Sequence, residues 1–252
     1  MTTEIMWSRQ IKGSGQPIIC LHGWAQTHKN IEPLAELLAG ETTPHLIDLP
    51  GFGGSPQPPE AWSADNYADH LAAFMKEKGI EKASLLGHSF GGKVSLCFAE
   101  KYPDKIDRLI LMAPSGLKPR LPFSKKIQRM GIRVSGRLLK TYDKAFGKTL
   151  FADHFIPRFG SRDYQNAGSM RQILVRSVNE DLTQRIRNIH CPTLLLWGRK
   201  DTETPLEIGE RMHRLIQDST LCIFPHHGHY LCDDVGAHLM ADYILDFLRE
   251  EK

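Results

Sequence analysis

The chain lacks the features that mark several specialised classes of protein. Its 252 residues include five cysteines, an odd number, and these lie far apart. Their spacing matches neither a disulfide framework nor a CxxC motif, so we expect buried, reduced thiols. No apolar run approaches the ~18 residues that a membrane-spanning helix needs. Because Met1–Glu4 also lacks the start of a secretory signal, we expect a soluble, cytoplasmic protein without stable membrane insertion.

A strong overall charge is also absent. The chain has 32 Lys and Arg against 29 Asp and Glu, a net charge of +3. This charge is too small to predict nucleic-acid binding. With 41% hydrophobic and 24% charged residues, the composition is that of a globular protein, which excludes disorder and collagen-like structure. The length suits one large α/β domain, alone or with an insertion.

Short apolar runs alternate with longer amphipathic stretches, which predicts an α/β fold with a mostly parallel sheet flanked by helices. The predicted strands are Pro17–Leu21, His45–Leu49, Ala83–Gly87, Arg108–Ala113, Thr193–Trp197 and Leu221–Phe224. The predicted helices are Asn30–Leu38, Ala64–Lys78, Gly91–Lys101, Glu207–Leu215 and Val235–Arg249. Ligand sites in such sheets lie at the carboxyl ends of the strands.

The alternation is interrupted once, between the fourth and fifth predicted strands. Residues 116–187 contain no strand-like run, so we interpret them as an inserted helical segment on a core formed by residues 1–115 and 188–252. The segment carries 16 Lys and Arg and 5 Asp and Glu, a net charge of +11, whereas the core carries −8. A basic rim of this kind would attract anionic substrates or dock an acidic carrier protein. The alternative is that the charge only keeps the surface soluble.

The strongest motif is Gly87-His88-Ser89-Phe90-Gly91-Gly92, which lies between a predicted strand and a predicted helix. This is the context in which G-x-S-x-G forms a nucleophile elbow. A serine on so tight a turn projects its Oγ into a cleft, and the flanking glycines let strand and helix approach. Ser89 is therefore the candidate nucleophile.

A serine nucleophile needs a base, and the base needs an acid to orient it. In this architecture the chain order is serine, acid, histidine. Asp201 follows the strand Thr193–Trp197, and His229 follows the strand Leu221–Phe224. The predicted triad is Ser89, Asp201 and His229.

An oxyanion hole requires two backbone N–H donors. The amide of Phe90, directly after the nucleophile, is the first candidate. The second is the amide of Trp24, in the loop after the first predicted parallel strand.

Five segments together resemble the α/β-hydrolase superfamily over nearly the whole chain. They are His22-Gly23-Trp24, Asp48–Ser55, Gly87–Gly92, Trp197–Asp201 and Gly228-His229. The resemblance implies that the inserted segment is a cap, or lid, over the active site. It also favours His229 over its neighbours His226 and His227 as the base, and it implies no cofactor and no metal.

The resemblance implies a serine hydrolase, and a carboxylic ester is the first choice of substrate, with thioesters and lactones nearby in chemistry. C–C hydrolases of ring-cleavage products use the same triad but usually have asparagine where His88 stands and tryptophan where Tyr230 stands. The chain is more similar to bacterial carboxylesterases, including the kind that demethylates a pimeloyl ester on acyl carrier protein. Some relatives keep an intact triad and act as ligand receptors or partner-binding proteins instead.

Two further patterns have competing interpretations. The cluster around His229, with Cys232, Asp233 and Asp234, contains metal-ligating residue types, but its spacing matches no standard zinc pattern. In Phe123–Leu150, the apolar residues Ile127, Met130, Val134 and Leu138 share one helical face, bordered by Lys125, Lys126, Arg129, Arg133, Arg137 and Lys140. Such a stretch can lie on an anionic membrane or on an anionic partner. The interpretation we favour from sequence is a cap helix that buries this stripe on the core.

Overall fold

The computed structural model describes residues 6–120, 123–232 and 234–250, and the side chains of Lys125, Lys126, Arg129 and Asp234 lie outside that description. Met1–Glu4 and Asp233, which entered the sequence argument, also lie outside the described residues.

A sheet of seven strands forms the centre of the described chain. Its strands are β1 (Ser8–Gln10), β2 (Gln16–Leu21), β3 (Thr42–Ile47), β4 (Ala83–His88), β5 (Ile106–Met112), β6 (Thr193–Gly198) and β7 (Ser219–Phe224). Their order across the sheet is β1-β3-β2-β4-β5-β6-β7. Strand β1 runs antiparallel to β3, and every other neighbouring pair is parallel. This confirms the predicted fold class.

Burial explains which strands the sequence reveals. All six residues of β4 and all six of β6 are buried, because helices cover both faces of a parallel sheet and its strands become continuous apolar runs. Strand β1 is three residues long, polar and mostly exposed. It therefore carries no apolar signal, and the sequence analysis missed it.

Nine α-helices accompany the sheet within the described residues. They are α1 (Glu32–Leu38), α2 (Ala64–Glu77), α3 (Ser89–Lys101), α4 (Phe123–Phe146), α5 (Ile156–Phe159), α6 (Arg162–Asn166), α7 (Arg171–Asn179), α8 (Leu206–Leu215) and α9 (Asp234–Arg249). All five predicted helices are present. None of the helices in this part of the chain is both long enough and apolar enough to cross a bilayer.

Between β5 and β6 the described chain forms α4 to α7, a π-helical turn over Phe151–Phe155 and no strand. This segment contacts the core through apolar residues such as Met170, Ile173 and Leu182. It is also anchored by Lys93 of α3, which is 2% exposed. The Lys93 ammonium donates to the carbonyl oxygen of Ser177 and lies 3.2 Å from an Oε2 of Glu180.

The expectation that α4 buries its apolar stripe on the core is wrong. The stripe residues are exposed, namely Ile127 (50%), Met130 (60%), Val134 (49%) and Leu138 (67%). The helix instead packs through Gly136, which is buried and lies so close to Phe155 that a Cβ there would be 2.9 Å from the ring Cζ. Glycine allows this close approach because it has no side chain, so the contact forms on a face away from the stripe.

Candidate active site

Ser89 begins α3 directly after β4, at the carboxyl edge of the sheet. Its φ is +49°, in the left-handed region that non-glycine residues seldom adopt. Such strain is held only where the surroundings fix it, and functional sites are where it concentrates. Here the surroundings are two glycines: a Cβ on Gly87 would lie 2.6 Å from Ser95 Oγ, and one on Gly91 would lie 2.3 Å from the carbonyl oxygen of Leu21. The close approach of α3 to β2 and β4 holds the turn.

The structure brings His229 and Asp201 together from two loops that follow neighbouring strands. The Nδ1 of His229 lies 2.8 Å from Oδ2 of Asp201, and both residues are only 6% exposed. Of the competing histidines, His226 is exposed and His227 is half-buried against the ring of Phe224. Of these three histidines, His229 is therefore the one that contacts the buried carboxylate of Asp201.

Asp201 is held by a turn and by one hydroxyl. Its Oδ1 accepts the backbone N–H groups of Glu203 and Thr204, each at 2.8 Å. The Thr204 Oγ1 lies 2.8 Å from Asp201 Oδ2 and 3.2 Å from His229 Nδ1. Burial acts to raise the pKa of the Asp201 carboxyl, but the hydrogen bond and charge of His229 and the Thr204 donors outweigh it, so this pKa lies below its ordinary value. Asp201 is therefore an ionised acceptor for the histidine.

Ser89 and His229 line one cleft of about 580 Å³. Its charged walls are Arg162, Asp163 and Glu203, of which the two acids lie near the histidine. An Oε2 of Glu203 is 3.5 Å from the Nε2 of His229, and the Glu203 side chain is 52% exposed. Among the described side chains, no basic residue of α4 lines this cleft, so its interior is slightly acidic although the inserted segment as a whole is basic.

Trp24 and Phe90 lie on the same cleft as Ser89. Phe90 is the second residue of α3, so its N–H belongs to the first helical turn and has no partner within the helix. The Trp24 and Phe90 rings meet edge to face at 5.4 Å, and the ring of Phe52 lies 5.0 Å from that of Trp24. The N–H of the adjacent Gly23 donates to Oε1 of Gln26 at 2.8 Å, which fixes the loop. Both predicted oxyanion-hole residues therefore border the Ser89 turn.

Two buried histidines support these loops. The Nε2 of His22 accepts the N–H of Leu49 at 3.0 Å, while its Nδ1 lies 2.7 Å from the carbonyl oxygen of Gly23. The Nε2 of His88 lies 3.0 Å from the carbonyl oxygen of His229. Burial lowers the pKa of each histidine to about 4. His22 is a neutral link between the two loops, and His88 fixes the backbone at His229.

The segment Asp48–Ser55 has a structural role next to the site. Asp48 Oδ1 accepts the backbone N–H of His28 at 2.7 Å, and its Oδ2 accepts that of Gly54 at 2.8 Å. Gly53 has φ of +53°, and a Cβ there would lie 2.0 Å from the Asp48 carboxylate. The glycine lets the loop wrap around the carboxylate, which places Phe52 against Trp24.

Sequence analysis missed three residues that shape the site. Thr204 stands three positions after Asp201, in the turn that precedes α8. Glu203 enters the cleft from the loop after β6 and Asp163 from the first turn of α6, and no motif marks them. A carboxylate followed closely by threonine is a weak signal that could have pointed to Thr204.

Within the described ranges no three His, Cys, Asp or Glu side chains converge as a metal-binding group. The metal interpretation of the His229 cluster therefore has no support there, and Asp233, one of its members, lies outside those ranges.

Two protein-family models match the chain. One, described as alpha/beta hydrolase fold, covers residues 16–150, and one, described as TAP-like protein, covers residues 167–252. A 2-hydroxy-6-oxononadienedioate/2-hydroxy-6-oxononatrienedioate hydrolase from Comamonas testosteroni is 31% identical, over 86% of this chain and 82% of the relative. A pimeloyl-[acyl-carrier protein] methyl ester esterase from Chromobacterium violaceum is 30% identical, over 86% of this chain and 88% of the relative. An esterase from Exiguobacterium antarcticum shares the fold, with a TM-score of 0.74 and 22% identity over 97% of this chain and 96% of that one.

Proposed function

Because this chain belongs to the alpha/beta hydrolase fold family, we propose that it is a serine hydrolase that cleaves carboxylic esters through Ser89, His229 and Asp201. The observation that carries the proposal is the contact between His229 Nδ1 and a buried Asp201 carboxylate, on the cleft that Ser89 also lines. Related hydrolases include esterases, a lipase and C–C hydrolases, and several of them are named for ester bonds.

The reaction proceeds in two steps of acyl transfer. His229 Nε2 takes the proton of Ser89 Oγ as the oxygen attacks the ester carbonyl, and the N–H groups of Trp24 and Phe90 stabilise the oxyanion. The imidazolium then gives the proton to the departing alcohol, which leaves an acyl-Ser89 ester. Water repeats the sequence and releases the acid. Throughout, Asp201 keeps the proton of His229 on Nδ1 and stabilises the imidazolium.

We propose that residues 116–187 are the cap of this site, on a core of residues 1–115 and 188–252. Six residues of the inserted segment support this, because they line the cleft together with Ser89: Ser161, Arg162, Asp163, Leu174, Ser177 and Val178. The cap would exclude water and select the acyl group.

The charges of the cleft favour a neutral ester. Asp163 and Glu203 outnumber Arg162 around the reacting groups, so an anionic substrate would be repelled there despite the basic cap surface. The dienedioate of the Comamonas relative's name is such an anion. C–C hydrolysis is therefore the second candidate. It is supported by the 31% identity with that relative and not by the charges of the cleft. Thioesters and lactones share the ester mechanism.

A labelling experiment tests the proposal. A fluorophosphonate probe should label wild-type protein and Ser89→Ala should abolish both labelling and hydrolysis of short p-nitrophenyl esters. Ser115→Ala is the matched control, since Ser115 lines the same cleft, and it should retain both. Failure of folded wild-type protein to label would refute the proposal and favour a receptor or partner-binding protein. Faster turnover of a vinylogous diketone than of any ester would favour the C–C reaction.

A further inference from the structure

We propose that helix α4 docks the protein on an anionic lipid surface through its exposed apolar side. We define the α4 stripe by its seven members, Phe123 (77% exposed), Ile127 (50%), Met130 (60%), Val134 (49%), Leu138 (67%), Tyr142 (45%) and Phe146 (64%). Exposed apolar residues are ordinary when scattered, but a contiguous row of large ones marks an interaction site. The inference goes beyond ester hydrolysis and does not depend on it.

The stripe is a continuous surface along the whole helix. Its members recur every three or four residues, so they share one side of a helix about 36 Å long. The side that faces the rest of the inserted segment carries Ile132, Gly136, Leu139 and Asp143, which are buried or half-buried. At 100° per residue these two sides are about 150° apart. The packing of α4 thus points the stripe into solvent, away from the fold.

Basic side chains border the stripe along one edge. Arg133, Arg137 and Lys144 are exposed, and none of them forms an ion pair within the described part of the chain. Lys140 lies 4.4 Å from the centroid of the Phe151 ring. Asp143 is the one acid in the α4 sequence, and its carboxylate accepts the N–H groups of Leu150 and Phe151. Within the part of the chain that the structure describes, no acidic side chain neutralises Arg133, Arg137 or Lys144.

This combination fits a lipid surface better than it fits other occupants. An interfacial helix lies flat, with its apolar side in the acyl boundary and its basic residues at anionic headgroups. A second copy of this chain would bring together two segments of +11 each, which repel one another. An acidic protein would satisfy the basic edge but would leave an apolar surface running the length of the helix without a complementary partner.

Co-sedimentation with vesicles tests the proposal. Wild-type protein should bind vesicles of equal parts phosphatidylcholine and phosphatidylglycerol, bind phosphatidylcholine alone weakly, and lose binding as salt rises. Replacing Met130, Val134 and Leu138 together by Gln should weaken binding on the order of 100-fold, because three side chains lose their apolar burial. Val235, which is 79% exposed on α9, provides the control, and Val235→Gln should leave binding unchanged.

A charge variant tests the basic edge separately. Changing Arg133, Arg137 and Lys144 to Gln should weaken binding to the anionic vesicles on the order of 100-fold, about fivefold for each charge removed. The matched control is a triple variant that removes three charges from the core, with Lys12, Lys29 and Lys76, all exposed, each changed to Gln. This control should bind as wild type does.

Several results would overturn the docking proposal. The proposal fails if wild-type protein stays in the supernatant with anionic vesicles at low salt. It also fails if the variant with Met130, Val134 and Leu138 replaced binds vesicles as wild type does. A dimer in light scattering that the stripe variant converts to monomer would mean that a second copy covers α4. Binding to an acidic carrier protein but not to vesicles would assign the surface to that partner. Circular dichroism verifies folding of each variant, and vesicle binding by Ser89→Ala separates this proposal from the fate of the proposed hydrolysis.

Discussion

Acidification from pH 8 to pH 5 should destabilise this protein through its buried neutral histidines. His22 has none of its surface exposed, and burial lowers its pKa from 6.5 to about 4. Its Nε2 accepts the N–H of Leu49, so a second proton on the ring would replace a hydrogen bond by a repulsive contact. The unfolded chain has no such restriction and binds the proton near pH 6.5.

The sign and size follow from proton linkage. At pH 8 neither state carries the proton, and His22 contributes no pH dependence. Between pH 6.5 and about pH 4 only the unfolded state binds it, so stability falls as pH falls, by roughly 1.4 kcal/mol per pH unit for one such histidine. At pH 5 the loss from His22 is about 2 kcal/mol, and His88, with a similarly lowered pKa, acts in the same direction. Asp48 and Asp201, with pKa values below 3.8, contribute their loss only under more acidic conditions.

Denaturant unfolding at pH 8 and pH 5 measures this difference. His22→Gln keeps an acceptor for the Leu49 N–H but does not titrate, so the difference between the two pH values should shrink by about 2 kcal/mol relative to wild type. His238 is exposed on α9, and His238→Gln should leave the wild-type difference unchanged. If His22→Gln and wild type lose the same stability at pH 5, the assignment of a neutral, proton-excluding His22 is refuted.

Two substitutions test other contacts. Lys93→Met should lower the free energy of unfolding by about 3 kcal/mol, because Glu180 and the Ser177 carbonyl lose a buried cationic partner. Lys101 on the same helix is the control: its side chain is 40% exposed, so Lys101→Met should lower that free energy by less than about 1 kcal/mol. Equal losses in denaturant unfolding would contradict a buried anchor. Thr204→Val should reduce kcat/KM for esters on the order of tenfold and move the acidic limb of the pH profile of kcat/KM to higher pH, since the Asp201 carboxylate loses a donor. Thr204→Ser should restore both the rate and the profile. A pH profile that is unchanged in Thr204→Val would refute the role of the hydroxyl.

Much of the fold could be predicted because the core strands are buried on both faces. Such strands become apolar runs in any sequence, and all six predicted runs correspond to strands of the sheet. Strand β1 could not be predicted, since three polar residues at the edge of a sheet have no pattern of their own. The exposed side of α4 could not be predicted either. Periodicity shows that a helix has an apolar side, but it does not show which side meets the protein.

At the site, the sequence located those residues that a motif and chain order mark. Ser89 is recognisable because its strained turn requires Gly87 and Gly91, and the spacing after β6 and β7 indicates Asp201 and His229. Thr204 carries no such mark, because its role depends on a hydroxyl reaching a carboxylate across a turn.

The sequence by itself determined the order of the six apolar strands and of the helices between them, the serine turn and the chain order of its candidate partners, because these depend on local periodicity and on backbone geometry. Only the tertiary structure decided which charges face the cleft and which side of α4 faces solvent. The inserted segment carries +11, yet its contribution to the cleft includes Asp163, while Arg133, Arg137 and Lys144 of α4 are exposed to solvent. Net charge and amphipathicity are sums over residues, and the direction in which each residue points is set by contacts between segments that are distant in the chain.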